Sequence, residues 1–538
     1  MKKFNIKAIA LALTIILVGS ACENNFEEIN VDPQRPTQTS ESFLFTGVLA
    51  ALNMTGNQWL YLNNHRAYQW SQLAASGFQD PNEIHDLGRD ELWNNYYNSL
   101  RNVRELERRI QEDFDPERKV NRLAMLRIAA GYFALRATDL YGDMPYSQAG
   151  RGLTGDGSDA DLRPAYDSQE SIYKSVLADL EWAVDNMVTN LPAETPAGND
   201  YLGFGANDVV YGSDVTKWVK FANALRLRYA LRMSDVDQAA ATAIISDVLS
   251  GTPVLPEGDE DMFAFGQDIN LTTGMRYWAF QFYEGIRLGE NAWNHMTDDP
   301  NPDGSGIIDP RVYVWYETNE DDEWVPMPQD PFVRDDLTGH PGNDQRRGDP
   351  TGFDFRGNYS GFNWFLIEDD EHGPQFHLTF SEVCFLRAEA YQRGFATGDA
   401  QEWYERGIRS SIERWYDHGT RNIDYVNPPA TPDAATIDAF IAHPQIAYNA
   451  ADGLRLIHVQ RWLDLMLNPQ EAWHLAKRSD LIPELTVREG DSGEARQTPT
   501  RIFYPLNEAD NNEANFNAQL AKMPEGNTLT AGTWVTGN

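Results

Sequence analysis

Apolar residues recur at intervals of three and four along most of the chain, which is the spacing of one face of an α-helix. The clearest segments are residues 122–143, 167–187, 213–233, 235–251, 379–394, 399–419 and 451–468. Gly142 lies at the end of the first segment, and Glu170 follows Asp167 at the spacing of a capping box. The pattern predicts a mainly α protein whose helices come in consecutive pairs.

One pair of predicted helices has the residue spacing of a tetratricopeptide hairpin. Small residues and aromatics occupy the positions of that pattern at Ala388, Tyr391, Ala400, Tyr404 and Gly407. We expect Ala388 and Ala400 to face a close helix crossing, where a larger side chain would not fit. A generic helical hairpin is the alternative, since such patterns tolerate many sequences.

The stretch from residue 255 to 378 differs from the rest, because it is rich in Gly, Pro, Asp and aromatics and has few helical runs. Long irregular segments inside a folded domain are usually functional. No Ser/Gly linker divides the chain, so we expect a single domain at 41–538. In it, 41–254 and 379–538 are mostly helical, and 255–378 is an irregular insert that faces the ligand.

The N-terminus has the pattern of an export signal. Basic residues at the start precede an apolar run at residues 8–19 that is shorter than the roughly 20 residues of a membrane-spanning helix. The run ends at "GSAC", which resembles a lipobox, although Gly19 stands where Leu is common. We therefore predict a lipoprotein signal peptide at 1–21, lipidation at Cys22, and a tether at 22–40. A plain signal peptide with a chance cysteine is the alternative.

Composition narrows the range of partners. The formal net charge is −37, and such an acidic surface repels nucleic acid. The chain is 41% hydrophobic and 12% aromatic, which is enough for a large core and argues against disorder. The second cysteine, Cys384, would have no partner beside an acylated Cys22, and its place on an apolar helical stripe predicts a buried, inert thiol.

The segment "DPNPDGSGIID" resembles the first half of a calcium loop. Asp299, Asn301 and Asp303 alternate and a glycine follows, as oxygen ligands do in such loops. The closing bidentate Glu is missing, and Pro310 stands in its place. Calcium is the one candidate cofactor of this sequence, and a loop without an ion is the alternative.

Aromatic residues amid polar ones are the candidate ligand-binding chemistry. A sugar ring stacks its apolar C–H face on Trp or Tyr and hydrogen-bonds its hydroxyls to neighbouring polar side chains. The candidates are Trp93, Tyr277, Trp278, Trp293 and Trp324. We expect Trp278, Trp293 and Trp324 to be exposed, because they lie in polar, loop-like surroundings, and we expect Trp93 to join Met275–Met296 in one shallow site. Core packing is the alternative for each aromatic.

Six stretches in order resemble the SusD/RagB family of outer-membrane nutrient-binding lipoproteins of the Bacteroidetes, and more closely its diverged SusD-like subgroup. They are "CENNFEEINVDPQRPT", "ATDLYGDMPYSQA", "DSQESIYKSVLADLEWAV", "DVTKWVKFANALRLRYALRMSDVD", "IDPR" and "PTRIFYPLNEADNNEANFNAQLA". The resemblance implies tetratricopeptide-like helical hairpins packed against an irregular, aromatic-rich lobe. It also implies a surface lipoprotein that captures glycans or peptides and delivers them to a SusC-like TonB-dependent transporter.

Two other functions stay open at this point. The resemblance implies a binding protein and not an enzyme, and the sequence contains no Gly-x-Ser-x-Gly elbow, His-Glu-x-x-His helix or phosphate loop. A surface-anchored glycan-degrading enzyme is nevertheless the alternative from another class. A structural lipoprotein that holds the transporter and contacts no ligand is the third reading.

Overall fold

The computed structural model of the chain describes residues 39–76, 86–113, 115–152, 154–189, 203–265, 286–299, 306–319, 321–329, 359–363, 366, 375–420, 428–482 and 499–537. The helices before residue 250 are α1 (Glu41–Leu52), the π-helix α2 (Gln58–Ala67), α3 (Tyr68–Trp70), α4 (Asp86–Gln111), α5 (Pro116–Tyr141), α6 (Asp159–Leu162), α7 (Gln169–Asn186), α8 (Val215–Met233) and α9 (Gln238–Val248). The later helices are α10 (Glu290–Met296), α11 (Val312–Trp315), α12 (Phe380–Gln392), α13 (Ala400–Gly419), α14 (Ala434–Ile441), α15 (Gly453–Asp464), α16 (Pro469–Ala476), α17 (Glu508–Asn511) and α18 (Glu513–Leu520).

Short antiparallel strand pairs connect distant parts of the chain. The strands are β1 (Ala74–Ser76), β2 (Met144–Pro145), β3 (Tyr166–Asp167), β4 (Phe263–Phe265), β5 (Ile286–Leu288) and β6 (Gln375–Leu378). The pairs are β1 with β5, β2 with β3, and β4 with β6. None of the helices in the described ranges has the length and apolarity that a membrane span requires.

The ends of the long helix α5 are set by capping residues. Asp115 caps α5 by accepting hydrogen bonds from the backbone of Glu117 and Arg118, and Pro116 fits the first helical position. Gly142 ends the helix with a φ of +75°, a conformation that glycine adopts readily. The capping box predicted at Asp167 is wrong, because the N-cap of α7 is Ser168.

Three hydrophobic cores hold the described elements together. The first core gathers α1, α4, α5, α7, α8 and α9 around side chains such as Leu135 and Phe221. The second core joins α2, α3, β1 and β5 to α10, α11 and α15, and it contains much of the described part of the irregular insert. The third core lies between α12, α13, α14 and α15. The prediction of a mainly α fold with helical hairpins packed against an irregular, aromatic-rich lobe is confirmed.

The predicted hairpin consists of α12 and α13, but its closest approach is not where we expected it. Ala388 is fully buried, as predicted, whereas Ala400 is only partly buried at the first position of α13. The tight contact lies instead at Gly407, where an added Cβ would come within 2.6 Å of the Phe385 ring. Cys384 on α12 is fully buried, and burial raises the pKa of its thiol to about 12, consistent with an inert side chain.

A buried ion-pair cluster ties the helices of the first core to those of the C-terminal half. Its members are Asp139, Arg228, Arg232, Glu382, Glu389, Arg461, Glu471 and Arg478. Arg232 on α8 contacts both Asp139 on α5 and Glu471 on α16. Arg228 donates two hydrogen bonds to the Glu382 carboxylate, from Nε to Oε1 at 3.0 Å and from Nη2 to Oε2 at 2.5 Å. Buried charges are tolerated when each is paired in this way.

Candidate functional site

A groove with a volume of about 400 Å³ lies on one side of α4. That size falls at the lower end of the roughly 300–1,000 Å³ typical of small-molecule sites. Three segments line it, namely α4, the chain from residue 145 to 164, and the chain from residue 507 to 512. Trp93 and Tyr97 are its aromatic lining residues, and one of them is a predicted ligand-binding residue.

One face of α4 presents exposed polar side chains to the groove. Asn94, Asn98 and Arg101 are exposed, and their spacing of four and three places them on one face. Arg101 donates a hydrogen bond to the Asn98 side-chain oxygen at 3.1 Å, which orients that amide. The Asn94 side chain makes no hydrogen bond with the described residues, so its amide is available to a ligand.

Trp93 stands at the centre of an aromatic cluster beneath the groove. Its ring lies 4.9 Å from that of Tyr97 and 5.0 Å from that of Tyr141, and it also contacts Tyr166 and Tyr504. It is 4% exposed, so packing accounts for most of its surface. Tyr97 is partly exposed and fixed by a 2.8 Å hydrogen bond to the carbonyl of Pro145. The cluster therefore supplies a rigid apolar base.

Glu508 is a lining carboxyl group opposite α4. The Tyr166 hydroxyl donates to its Oε2 at 2.8 Å. Burial raises the pKa of Glu508, while hydrogen bonds from Tyr166, Asn512 and Trp93 act in the opposite direction. The Tyr166 hydroxyl holds the carboxyl group in place, and this bond connects the C-terminal segment to the aromatic cluster.

The wall formed by residues 507–512 was missed in the sequence. Asn507 and Asn511 are exposed lining residues, and the Asn512 amide donates to the carbonyl of Pro164 at 2.9 Å, which fixes the wall against the residue 145–164 segment. Exposed Leu162 adds an apolar edge to the same groove. The signal that could have found this wall is the run of amides in "NEADNNEANFN".

Two other predicted aromatics are buried rather than exposed. Trp293 is 1% and Trp324 is 8% exposed, so the expectation that they lie on the surface is wrong. Their rings stack with centroids 5.9 Å apart, and Tyr313, which is 43% exposed, packs edge-on against Trp324. Both rings have polar neighbours in the sequence, but in the fold they pack inside the second core.

The described predicted aromatics pack in two different hydrophobic cores. Trp93 belongs to the first core, whereas Trp293 and Trp324 belong to the second. The single shallow site that joins Trp93 to Met275–Met296 stays a prediction, because residues 275–285 lie outside the described residues. Tyr277 and Trp278 lie outside the described residues, so their part in ligand binding stays a prediction.

The predicted calcium loop is only partly described. The backbone of Asp299 is held by Thr297, whose hydroxyl donates to the Asp299 carbonyl at 2.9 Å. Asn301 and Asp303 lie outside the described residues. Within the described ranges, no group of three or more His, Cys, Asp or Glu side chains could hold a metal ion. Calcium binding stays a prediction.

Helical hairpins packed on an irregular, aromatic-rich lobe are the architecture of SusD-like proteins, and comparisons identify the chain with that class. A sequence profile of the SusD-like family described as "starch-binding associating with outer membrane" matches residues 33–505. The chain belongs to this family, and the predicted resemblance is confirmed. By that description, the family is associated with the outer membrane. No match is found among curated proteins.

Solved structures share the fold over nearly the whole chain. A chitin-binding protein is 22% identical, with a TM-score of 0.69 over 93% of this chain and 100% of its own. A SusD homologue from Parabacteroides distasonis is 22% identical, with a TM-score of 0.66 over 93% and 98%. A chitin-binding SusD homologue from Flavobacterium johnsoniae is 18% identical, with a TM-score of 0.64 over 92% and 98%.

Proposed function

We propose that the protein is a lipid-anchored, surface-exposed glycan-binding protein, and that oligosaccharides bind in the groove beside α4. It captures them for a SusC-like TonB-dependent transporter and does not cleave them. The observation that carries the proposal is the combination of an aromatic base at Trp93 and Tyr97 with exposed amides on two opposite walls. Membership of a family described as starch-binding supports the glycan as the ligand class.

The groove chemistry suits a neutral sugar. Amide side chains can donate and accept, as the mixed donor and acceptor pattern of sugar hydroxyls requires. Asn94, Asn507 and Asn511 make no side-chain hydrogen bond with the described residues, so binding need not break an internal bond. A volume of about 400 Å³ limits the enclosed part of the ligand to a few sugar units. The remainder of a longer chain would extend into solvent.

The expected affinity is modest. A neutral hydrogen bond contributes about 0.5–1.5 kcal/mol after exchange with water. A few such bonds and one partly exposed ring correspond to a dissociation constant in the micromolar to millimolar range. Modest affinity suits a protein that passes its ligand on to a transporter.

The test uses the full-length lipoprotein purified in detergent. Isothermal titration with maltooligosaccharides and chitooligosaccharides is expected to show binding by the wild type. The double variant Asn94→Ala/Asn98→Ala removes two amides from one wall and is expected to weaken binding about tenfold, from two hydrogen bonds. The control is Asn517→Ala, which removes an exposed amide from α18 outside the groove.

Two outcomes would contradict the proposal. If the double variant binds as the wild type does, the ligand site is not this groove. If no glycan of either type binds while a peptide mixture does, the ligand class is wrong. Peptides belong in the titration for that reason, since the family resemblance implies either cargo.

A glycan-degrading enzyme is the competing function, and Glu508 is the residue that makes it testable. A carboxyl group with a raised pKa in a sugar-binding groove could act as a general acid. The hydrogen bond from the Tyr166 hydroxyl instead favours a fixed structural role. Prolonged incubation with the same oligosaccharides followed by chromatography is expected to recover them intact. Cleavage that Glu508→Gln abolishes would establish the enzyme.

A further inference from the structure

A second cavity, with a volume of about 690 Å³, lies further along α4 than the groove. α4 contributes three charged lining residues, namely Arg104, Glu107 and Arg108. They continue the helix face that carries Arg101 at the groove, because they follow it at helical spacing. The chain from residue 148 to 161 lines the other side of the second cavity. Asp161 lines both cavities, so the two adjoin each other.

Hydrogen bonds and one close approach set the position of this wall against α4. Arg104 donates from Nε to the Ala149 carbonyl and from Nη2 to the Tyr146 carbonyl, both at 3.2 Å. Gly150 has a φ of +76°, and an added Cβ would come within 2.8 Å of the Leu100 side chain. Glycine therefore permits the chain to lie this close to the helix. The shape of the second cavity follows from these contacts.

Two polar side chains of the wall are available to a ligand. Gln148 and Arg151 are exposed, line the second cavity, and make no side-chain hydrogen bond or ion pair with the described residues. The Arg151 backbone is nevertheless held, since its carbonyl accepts hydrogen bonds from the N–H groups of Thr154 and Gly155 at 3.0 and 2.6 Å. Both side chains could therefore bind a ligand without first breaking an internal contact.

The lining of the second cavity suits hydroxyl groups better than an ion. Arginines and carboxylates are equally numerous among the described lining residues, namely Arg104, Arg108, Arg151, Glu107, Asp156 and Asp161. Because these charges balance, the cavity favours neither a cation nor an anion. Guanidinium and amide groups donate, and carboxylates accept, as the mixed pattern of sugar hydroxyls requires. The Gly157 N–H donates to Asp161 Oδ2 at 3.1 Å, which orients the carboxylate at the junction of the two cavities.

The length of α4 that the two cavities cover exceeds what the groove alone offers. From Trp93 in the groove to Arg108 in the second cavity, the helix rises about 22 Å, at about 1.5 Å per residue. The groove encloses only a few sugar units. A chain that leaves it at the Arg101 end passes through the second cavity on its way into solvent.

We propose that the second cavity is a further subsite for the same glycan, so that the protein selects neutral oligosaccharides long enough to span both cavities. The inference rests on the proposed function, because it assigns the sugar units that follow those held in the groove. Gln148 and Arg151 hydrogen-bond the hydroxyls of these units, and Asp161 meets the chain where it crosses from one cavity to the other. Chain length is then a property that the site recognises.

The test compares chain lengths on the full-length lipoprotein in detergent. Isothermal titration uses maltohexaose and chitohexaose, each beside its trisaccharide. For the series that binds, the wild type is expected to bind one hexasaccharide at least about tenfold more tightly than the trisaccharide, from two or more added hydrogen bonds. Gln148→Ala/Arg151→Ala should bind the trisaccharide as the wild type does and should lose about tenfold in hexasaccharide affinity.

A longer chain also gains affinity because it can bind the groove in several positions, and the variant separates this gain from the subsite. The groove is intact in Gln148→Ala/Arg151→Ala, so the length preference that remains there measures the gain from several positions. The matched control Gln401→Ala/Arg455→Ala removes an exposed amide from α13 and an exposed guanidinium from α15, outside both cavities. It should keep the wild-type affinities. Similar melting temperatures are expected throughout, because all four side chains are exposed.

The other outcomes would overturn the inference. An unchanged hexasaccharide affinity in Gln148→Ala/Arg151→Ala would show that the second cavity does not hold the chain. An equal loss for both chain lengths would place these two residues in the groove site itself. Two hexasaccharides per protein would make the cavities separate sites. In each case, trisaccharide binding that is weakened in Asn94→Ala/Asn98→Ala leaves the proposed function standing. If neither chain length of either glycan binds, both fail.

Discussion

Arg232 is the residue whose removal should most clearly reveal the buried ion-pair cluster. It lies on α8 and is the cation shared by Asp139 on α5 and Glu471 on α16. All three side chains are at most 5% exposed. Arg232→Met replaces the guanidinium by an apolar chain of similar length and leaves Asp139 without its ion-pair partner. Glu471 retains only the more distant Arg228, at 4.0 Å.

The expected magnitude follows from the burial of these charges. Breaking a buried ion pair by removal of one partner destabilises by about 3–5 kcal/mol, because the remaining charge is buried without compensation. Because Arg228 still lies 4.0 Å from Glu471, the loss of unfolding free energy should be near the lower end of that range. An exposed pair contributes about 0–1 kcal/mol. Arg409→Met, which breaks an exposed pair with Asp438, is therefore the matched control.

Urea unfolding of the full-length protein measures both variants. The free energy of unfolding should fall by about 3 kcal/mol in Arg232→Met and by less than 1 kcal/mol in Arg409→Met. Equal losses in the two variants would refute the argument that burial sets the size of the effect. A rise in stability in Arg232→Met would show that the buried carboxyl groups are neutral in the folded state.

The pH dependence of stability tests the same ion-pair cluster independently. Burial alone would raise the pKa of Glu471, but Arg232 and Arg228 outweigh it and lower that pKa from 4.5 to about 2. A lowered folded-state pKa adds stability above pH 4.5, and this stability is lost as the pH falls towards 2. The stability difference between wild type and Arg232→Met should therefore shrink on acidification through that window. A difference that stays constant would contradict the pairing.

Three further predictions concern the hairpin, the N-terminus and the insert. Gly407→Val should overpack the ring of Phe385 and destabilise by about 1–3 kcal/mol, whereas Ala400→Leu should have little effect; equal losses in urea unfolding would contradict this. Cys22→Ala should abolish acylation and release the protein from membranes; mass spectrometry that shows an unmodified wild-type N-terminus would refute lipidation. If residues 299–303 hold calcium, EDTA should lower the melting temperature of wild type but not of Asp303→Ala, and an unchanged wild type would end that hypothesis.

The helices could be predicted from the sequence because their signals are local. The three- and four-residue apolar spacing of α5 and the terminal Gly142 lie within one segment. The capping prediction failed at Asp167 because a tertiary contact competes for its carboxylate. The backbone N–H groups of Tyr146 and Ser147 donate to Asp167 Oδ2 at 3.0 and 2.8 Å, and Ser168 caps α7 instead.

The candidate site was less predictable, because it is assembled from distant segments. Trp93 could be singled out as an aromatic amid polar residues, but Asn507 and Asn511 lie about 400 positions further along the chain. Nothing local to either segment indicates that they face each other. Trp293 and Trp324 were placed on the surface from polar neighbours, and sequence distance gave no sign that their rings stack on each other.

The most direct test of the central claim is isothermal titration of the full-length protein with maltooligosaccharides and chitooligosaccharides, carried out in parallel on Asn94→Ala/Asn98→Ala and on Asn517→Ala. The account predicts micromolar to millimolar binding of at least one of these glycans by wild type. The groove variant should bind about tenfold more weakly, and the control should match wild type. Wild-type affinity in the groove variant, or no glycan binding by any of the three proteins, would contradict it.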